Sequence, residues 1–133
     1  MELKLIQQQF VDYAWRDGAD CLDRACAESG GDITADQLKM LIARGERQLV
    51  KLVDMGETEG WAVFRIDQLP NMRVFMITEL VAKDHGRFFE EVKNMARAFG
   101  CSVIRAAAKP AQERLYRMKC GFEPVYTIVE VQI

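Results

Sequence analysis

An acidic side chain near the end of the most apolar segment is the first candidate for chemistry. Glu79 lies within Arg73–Val81, which the sequence predicts to be a strand. By strand alternation Glu79 shares a face with Phe75 and Ile77, so its carboxylate is expected to be partly buried. Burial raises the pKa of a carboxyl group and suits it as a general base. A buried, hydrogen-bonded carboxylate with a structural role fits the same pattern, and both interpretations stay open.

The polar loop after this strand carries basic side chains and one glycine ahead of a helix. Backbone amides at a helix N-terminus favour anions, and arginine binds phosphate in a bidentate manner. Arg87 suits this role, and a solvated charge in the first helical turn is the alternative. His85, the single histidine, is expected to contact phosphate or solvent. The loop reads Lys83-Asp84-His85-Gly86-Arg87-Phe88-Phe89.

The four cysteines show no metal-binding pattern. No two of them form a Cys-x-x-Cys pair, whereas a structural zinc site needs four clustered Cys or His ligands. We therefore expect no metal, and we expect the cysteines to be small buried side chains in a reducing cytosol. A cysteine nucleophile would need a neighbouring base, and the sequence does not place His85 beside any of them. The cysteines are Cys21, Cys26, Cys101 and Cys120.

Length and charge narrow the class of protein. With 133 residues, of which 50% are hydrophobic, the chain is expected to form one domain over residues 1–133. The net charge is −2 and no basic block is present, which disfavours nucleic-acid binding. Residues 1–6 hold no long apolar run, so neither a signal peptide nor a membrane span is expected. These features favour a cytoplasmic protein.

The first third of the chain predicts a short strand followed by two helices. The strand lies around residues 3–5. Residues 10–27 repeat apolar side chains at three- and four-residue steps, and Gly18 is an interruption or a break. Thr34 and Gln37 have the spacing of a capping box, which predicts the start of the second helix.

The middle of the chain predicts an antiparallel meander followed by a strand–helix–strand unit. The near-continuous apolar run of Arg73–Val81 is typical of a central strand covered on both faces. A helix over Phe88–Phe99 connects it to Cys101–Ala106, which predicts a parallel pair with a right-handed crossover. The full order, β-α-α-β-β-β-α-β-α-β, predicts an α/β fold with a mixed sheet and helices on both faces. The first two meander strands are Gln48–Asp54 and Trp61–Asp67.

The C-terminal part predicts a last helix and a last strand. The helix is expected to end at Gly121 and to turn an apolar side inward. Val125–Ile133 alternates as a strand. The apolar surface of Trp61, Tyr126 and this strand fits either a homodimer contact or the core. The inward side of the helix comprises Ala111, Leu115 and Met118.

The end of the last helix carries a motif of a known family. Leu115-Tyr116 followed by Gly121-Phe122 is similar to the "Leu-Tyr … Gly-Phe" ending of the GNAT acyl-CoA N-acyltransferases. The predicted order of elements resembles the GNAT fold over nearly the full chain. The resemblance implies acetyl-CoA in the gap between Arg73–Val81 and Cys101–Ala106, and an amine acceptor. It also implies that Tyr116 protonates the departing CoA thiolate, and a packing role is the alternative.

The phosphate loop departs from the family signature Gln/Arg-x-x-Gly-x-Gly/Ala. One glycine remains, and Phe88 and Phe89 stand where small residues are expected, which hinders close approach of the backbone to a phosphate. Asp84 adds a negative charge there. The resemblance implies that Glu79 reaches the cleft as the base for the amine. The residues expected to contact the cofactor are Leu80, Val81, Lys83, Gly86, Arg87 and Phe88.

Short GNAT-like proteins of tailed phages resemble the chain more closely. Gly45-Glu46-Arg47-Gln48-Leu49 and the helix exit at Ala96–Cys101 fit their pattern. The leading hypothesis is therefore an acetyltransferase-like protein that uses acetyl-CoA and an unknown amine. The alternative is an inactive phage module that has a structural role or binds a host protein. A third hypothesis is a DNA-binding adaptor that uses residues 34–43 as its recognition helix. It is disfavoured because no cluster of basic residues surrounds this helix.

Overall fold

The computed structural model describes residues 1–84 and 86–133. Five strands in these residues form one sheet in the order β1-β2-β3-β4-β5. The first three junctions are antiparallel, and the junction between β4 and β5 is parallel, which confirms the predicted mixed sheet. The strands are β1 (Glu2–Ile6), β2 (Gln48–Asp54), β3 (Glu57–Gln68), β4 (Arg73–Ala82) and β5 (Val103–Ala106).

Helices cover both faces of this sheet. Three short helices between β1 and β2 pack on one face, and the helix between β4 and β5 packs on the other. The last helix follows β5 and ends at Gly121, whose φ of 72° is the left-handed conformation that suits glycine. None of the helices in the described residues is long and apolar enough to cross a membrane. The helices are α1 (Val11–Arg16), α2 (Asp23–Ala27), α3 (Ala35–Ala43), α4 (Phe89–Ala98) and α5 (Pro110–Cys120).

The predicted helix over residues 10–27 is divided at Gly18. This glycine has φ of 126°, a conformation that L side chains rarely adopt, and a 3-10 turn follows it at Ala19–Leu22. The capping box at α3 is confirmed. The Gln37 amide donates to Thr34 Oγ1 at 3.3 Å, and the Thr34 amide donates to Gln37 Oε1 at 3.0 Å.

Two apolar clusters lie on opposite faces of the sheet. The first joins α1, α2 and α3 to one face of β2 and β3, and the second joins α4 to the other face. Phe64 lies in the second cluster, where its ring stacks on Phe75 with centroids 4.1 Å apart. Fully buried members of the first cluster include Leu22, Leu38, Ile42, Leu49 and Val63.

The predicted last strand is not formed. Val125–Ile133 has no regular secondary structure, and all of its residues are exposed. The predicted inward side of α5 is also wrong, because Ala111, Leu115 and Met118 are exposed. A strand needs a neighbour to pair with, and among residues 1–84 and 86–133 no strand lies against the outer edge of β5.

Candidate functional site

The two parallel strands of the sheet differ in length, and this creates an open edge. Pairing between β4 and β5 runs from Val74 opposite Val103 to Ile77 opposite Ala106. Strand β4 then continues to Ala82 with β3 on one side and no strand of the described chain on the other. Backbone groups of residues 78–82 therefore face a gap, at the place where the sequence predicts the cofactor.

A β-bulge lies at the start of this open segment. Ile77 pairs with Phe64 and Glu79 pairs with Val63, so Thr78 is an extra residue on β4. The Thr78 hydroxyl lies 3.3 Å from the Val63 carbonyl oxygen and 2.6 Å from Glu79 Oε1. The extra residue reverses the alternation beyond it, because a shift of one residue moves a side chain to the other face.

The bulge places Glu79 on a different face from the one predicted. Phe75 and Ile77 belong to the cluster under α4, whereas Glu79 points toward the helices on the opposite face. There Arg47 Nη1 donates to both Glu79 carboxylate oxygens, at 3.2 and 3.3 Å. Glu79 is 8% exposed and the Arg47 side chain is 18% exposed, so the pair is largely shielded from water. The expectation that Glu79 shares the face of Phe75 was wrong.

Tyr116 lies on the other side of the sheet. Its side chain lines an apolar cavity of about 60 Å³ between the sheet, α4 and α5. Its ring packs against Phe122, with centroids 5.5 Å apart. Burial, with a smaller contribution from Cys120, raises the pKa of the Tyr116 phenol above its ordinary value of 10.0. The phenol is therefore protonated at neutral pH, and Tyr116 and Glu79 are not brought together.

The open segment of β4 borders two spaces, one on each face. Leu80 lines the apolar cavity, and Val81 lines a more polar groove of about 360 Å³ on the opposite face. The sequence analysis missed this groove because its lining comes from distant segments. A β-carbon at Gly60 would collide with the Val81 carbonyl oxygen, so glycine allows β3 to approach β4 closely here. The groove is also lined by Cys21, Arg24, Thr58, Glu59, Trp61, Ala82 and Lys83.

The loop after β4 is held by hydrogen bonds within the loop and from α5. Asp84 Oδ1 accepts hydrogen bonds from the Gly86 amide at 3.1 Å and from Lys119 Nζ at 3.3 Å. These two contacts, with the Gly86 amide as the larger cause, hold the pKa of Asp84 below its ordinary value. A β-carbon at Gly86 would lie 3.1 Å from Lys119 Cβ, so α5 packs tightly here. The Gly86 amide predicted to meet a phosphate is therefore already bonded to a carboxylate.

The other residues of the predicted phosphate site are also engaged. Arg87 forms ion pairs with Asp54 and with Glu59, the latter at 3.6 Å, and so points toward the hairpin of β2 and β3. Phe88 is buried in the cluster under α4. Lys83 is held more loosely, since its Nζ lies 4.0 Å from Glu59 Oε2 and its side chain is 72% exposed. The remaining loop residue, His85, lies outside the described residues.

A CoA thioester fits one part of this site and does not fit the other. The open edge of β4 and the cavity beside Tyr116 fit an extended amide chain with an apolar end. The loop after β4 does not fit a pyrophosphate, because Asp84 holds the Gly86 amide and Arg87 is paired with two carboxylates. Among the described residues, no group of three or more side chains has the arrangement of a metal site.

Comparison with known proteins supports the fold. No protein-family model matches the chain, and no curated protein matches its sequence. Among solved structures it is similar to a probable acetyltransferase, with 14% identity, a TM-score of 0.68, and coverage of 100% of this chain and 98% of that one. An aminoglycoside acetyltransferase from an uncultured soil metagenomic sample has 10% identity, a TM-score of 0.69 and coverage of 99% and 95%.

A third similar structure is a ribosomal-protein-alanine N-acetyltransferase from Brucella melitensis biovar Abortus 2308. It has 10% identity, a TM-score of 0.67, and coverage of 99% of this chain and 98% of that one. Identities this low report on the fold and not on the reaction. The likeness extends over essentially the whole length of each chain, and the chain therefore has the fold of the GNAT acetyltransferases.

Proposed function

We propose that the chain is an acetyltransferase-like protein that holds the thioester end of acetyl-CoA along the open edge of β4 and passes the acetyl group to an amine. The observation that carries this proposal is the open segment of residues 78–82, which has a space on each of its faces. A transfer reaction needs a donor and an acceptor that meet at one point. The open segment is a point that both spaces reach.

The backbone of the open segment has the first role. Its unpaired N–H and C=O groups hydrogen-bond an extended amide chain in the way that a sheet edge accepts another strand. Leu80 supplies an apolar contact on the cavity side, and Val81 supplies one on the groove side. When bound, acetyl-CoA supplies an activated acetyl thioester.

Tyr116 has the role of proton donor. Its phenol lines the cavity and its pKa is raised by burial, so it holds a proton across the neutral range. A positioned acid of this kind stabilises a departing thiolate. The acceptor amine enters from the groove in its neutral form. A bond forms between its nitrogen and the acetyl carbon as the carbon–sulfur bond breaks, Tyr116 gives its proton to the sulfur, and the proton released by the amine nitrogen returns to the phenolate. We assign Glu79 a structural role, because Arg47 and Thr78 already engage its carboxylate.

The phosphate end of the ligand makes weaker contacts in this proposal. Lys83 is exposed beside the groove and is loosely held, so it suits a contact with phosphate or ribose phosphate. Arg87 stays with Asp54 and Glu59. The affinity for acetyl-CoA is therefore expected to come from its amide-containing pantetheine part and not from its nucleotide.

Isothermal titration with fragments of the ligand tests this division. We expect acetyl-CoA and S-acetylpantetheine to bind with dissociation constants within about tenfold of each other, a difference of about 1.4 kcal/mol. Adenosine 3′,5′-bisphosphate is expected not to bind. Absence of binding by acetyl-CoA at millimolar concentration would overturn the proposal, and so would binding of the bisphosphate alone.

Two neighbouring alanines provide a matched pair of variants. Ala106 ends β5 and lines the cavity, whereas Ala107 is exposed beyond it. Ala106→Leu is expected to fill the cavity and weaken acetyl-CoA binding on the order of tenfold, while Ala107→Leu leaves it unchanged. Equal effects of both substitutions would mean that the ligand does not use the cavity.

A second candidate function has an observation of its own. The hydrogen bond from the Gly86 amide to Asp84 places a carboxylate where a phosphate is expected. This favours an inactive GNAT-fold module that binds a protein, such as a phage or host protein as the phage-like motifs imply. The titration separates the two candidates, since the module binds neither acetyl-CoA nor S-acetylpantetheine.

A further inference from the structure

We propose that the groove lined by Val81 binds a free amino acid with an apolar side chain, and that the α-amino group of this amino acid accepts the acetyl group. The inference rests on the acetyl-transfer proposal and names the class of its acceptor. Its basis is a basic side chain from α2 in a groove that also reaches the open segment of β4. The bonds that form and break are those of the acetyl transfer, and the products are an N-acetyl amino acid and free CoA.

Arg24 supplies a positive charge that the protein does not balance. In the part of the chain that the structure describes, no carboxylate forms an ion pair with it. Asp20 and Asp23 precede Arg24 along the chain, but neither lines the groove. The Cys21 thiol is a hydrogen-bond neighbour of Arg24. Burial raises the pKa of this thiol, so it stays neutral and leaves the guanidinium charge uncompensated.

The other charged side chains of the groove do not change its sign. Glu59 is 17% exposed and lies 3.6 Å from Arg87 and 4.0 Å from Lys83, so basic side chains already match its charge. The lining holds two basic side chains, Arg24 and Lys83, and one acidic side chain, Glu59, which gives a net charge of +1. An acceptor with several amino groups is therefore repelled, whereas an acceptor with one carboxylate is attracted.

The size and the apolar lining of the groove restrict the rest of the acceptor. Its volume of about 360 Å³ lies near the lower end of the range of small-molecule sites, so it holds a molecule of the size of a free amino acid. The apolar part of the lining comes from Trp61, Val81 and Ala82. Contact with these residues removes apolar surface from water and favours an amino acid with an apolar side chain.

The two polar groups of an amino acid match two features that the groove brings together. Helix α2 packs against β4, and the groove reaches both Arg24 and Val81. A guanidinium binds a carboxylate through two parallel hydrogen bonds, which fixes the orientation of the bound molecule. The amino group is then held toward the open segment of β4, where the thioester lies in the acetyl-transfer proposal. A peptide N-terminus has an amide in place of this carboxylate and lacks the contact.

Titration calorimetry without acetyl-CoA tests the amino-acid site by itself. The probes are L-leucine and L-leucinamide, which differ in the charge of the carboxyl group. We expect leucine to bind about tenfold more tightly than leucinamide. Arg24→Gln is expected to remove this preference, and Arg24→Lys is expected to keep part of it. Arg16→Gln is the control, because Arg16 is exposed on α1 and does not line the groove. Circular dichroism establishes that the variants are folded.

Kinetics with acetyl-CoA separate the acceptor from the reaction. Arg24→Gln is expected to raise the KM for leucine about tenfold and to keep kcat. If acetyl-CoA binds but leucine at millimolar concentration does not, the acceptor inference alone is overturned. An equal affinity for leucinamide, a tighter affinity for spermidine, or an unchanged leucine affinity in Arg24→Gln overturns it as well. If acetyl-CoA does not bind, the acetyl transfer is overturned and the acceptor role falls with it, whatever the titration with leucine gives.

Discussion

Arg47 and Glu79 form a shielded ion pair that joins the start of β2 to the bulge of β4. One guanidinium nitrogen lies 3.2 and 3.3 Å from the two carboxylate oxygens, and the Thr78 hydroxyl lies 2.6 Å from one of them. The bulge and the pair therefore depend on each other. The extra residue turns Glu79 toward Arg47, and Arg47 supplies the charge that makes burial of Glu79 tolerable.

The first prediction is that Glu79→Gln destabilises the fold. The substitution leaves the Arg47 guanidinium shielded without its counter-charge, which costs about 3 kcal/mol. Urea unfolding followed by circular dichroism measures the change. Glu113→Gln is the control, because Glu113 and Arg117 form an exposed pair at 3.4 Å on α5, worth less than about 1 kcal/mol. Similar losses of unfolding free energy in the two variants would show that the Arg47–Glu79 pair contributes no more to stability than an exposed ion pair does.

The second prediction concerns the loop after β4. Asp84→Ala frees the Gly86 amide and removes a negative charge, so we expect the affinity for acetyl-CoA to rise about tenfold. Asp84→Asn is the control, because it removes the charge but keeps an oxygen that accepts from Gly86, and an intermediate gain is expected. Titration calorimetry at two salt concentrations measures both. An unchanged affinity in Asp84→Ala would mean that the ligand does not approach the loop.

The pH dependence of this loop follows from the direction of the pKa shift. The pKa of Asp84 lies below its ordinary value of 3.8 because the Gly86 amide and then Lys119 stabilise the carboxylate. A lowered pKa in the folded state gives stability that is present above the unfolded value and is lost as the pH falls through the folded value. We therefore expect no change in the loop between pH 6 and pH 8, and loosening only in strong acid.

The third prediction concerns Tyr116. If the phenol donates a proton to the departing thiolate, Tyr116→Phe lowers kcat about 100-fold and leaves KM for acetyl-CoA nearly unchanged. The control is Tyr13→Phe, since Tyr13 is exposed on α1 and far along the chain from the cavity. Release of free thiol measures the rate. A higher KM for acetyl-CoA with an unchanged kcat would instead assign Tyr116 to packing.

The raised pKa of Tyr116 gives this prediction a second measurement. Burial keeps the phenol protonated up to and above its ordinary value of 10.0, so Tyr116 contributes no descending limb to the rate below that pH. A raised pKa also means that the stability associated with the group is present below the unfolded value and is lost as the pH rises through the folded value. Unfolding is therefore expected to become easier only above pH 10.

Local signals in the sequence predicted the elements well. The capping box at Thr34 and the break at Gly18 depend on neighbouring residues, and both are present. The apolar run of β4 also predicted an inner strand. A strand that is covered on both faces does not alternate apolar and polar residues. Strand β2 was predicted with its observed bounds, Gln48–Asp54.

The candidate site was harder to predict because it depends on contacts between distant segments. The bulge at Thr78 has no signature in the sequence, and it reversed the face expected for Glu79. The partners of Arg87 lie at Asp54 and Glu59, some thirty positions away. The pattern of Val125–Ile133 predicted a strand, but a strand needs a neighbour to pair with, and none of the described strands pairs with these residues.

The last prediction separates the two basic residues of the loop after β4. Arg87 is paired with Asp54 and Glu59, whose side chains are 16% and 17% exposed, so Arg87→Ala leaves these largely buried carboxylates with the longer contacts of the Met1 amino group, at 3.5 Å, and of Lys83, at 4.0 Å. We expect a loss of about 1 kcal/mol in stability and little change in acetyl-CoA affinity. Lys83 is 72% exposed and loosely held, so Lys83→Ala is expected to weaken acetyl-CoA binding severalfold and to leave stability unchanged. Thermal unfolding and titration calorimetry on the same preparations measure both quantities. The opposite result would be that Arg87→Ala abolishes binding in a fully stable protein. It would mean that Arg87 contacts the phosphates, and that its ion pairs with Asp54 and Glu59 break when the ligand binds.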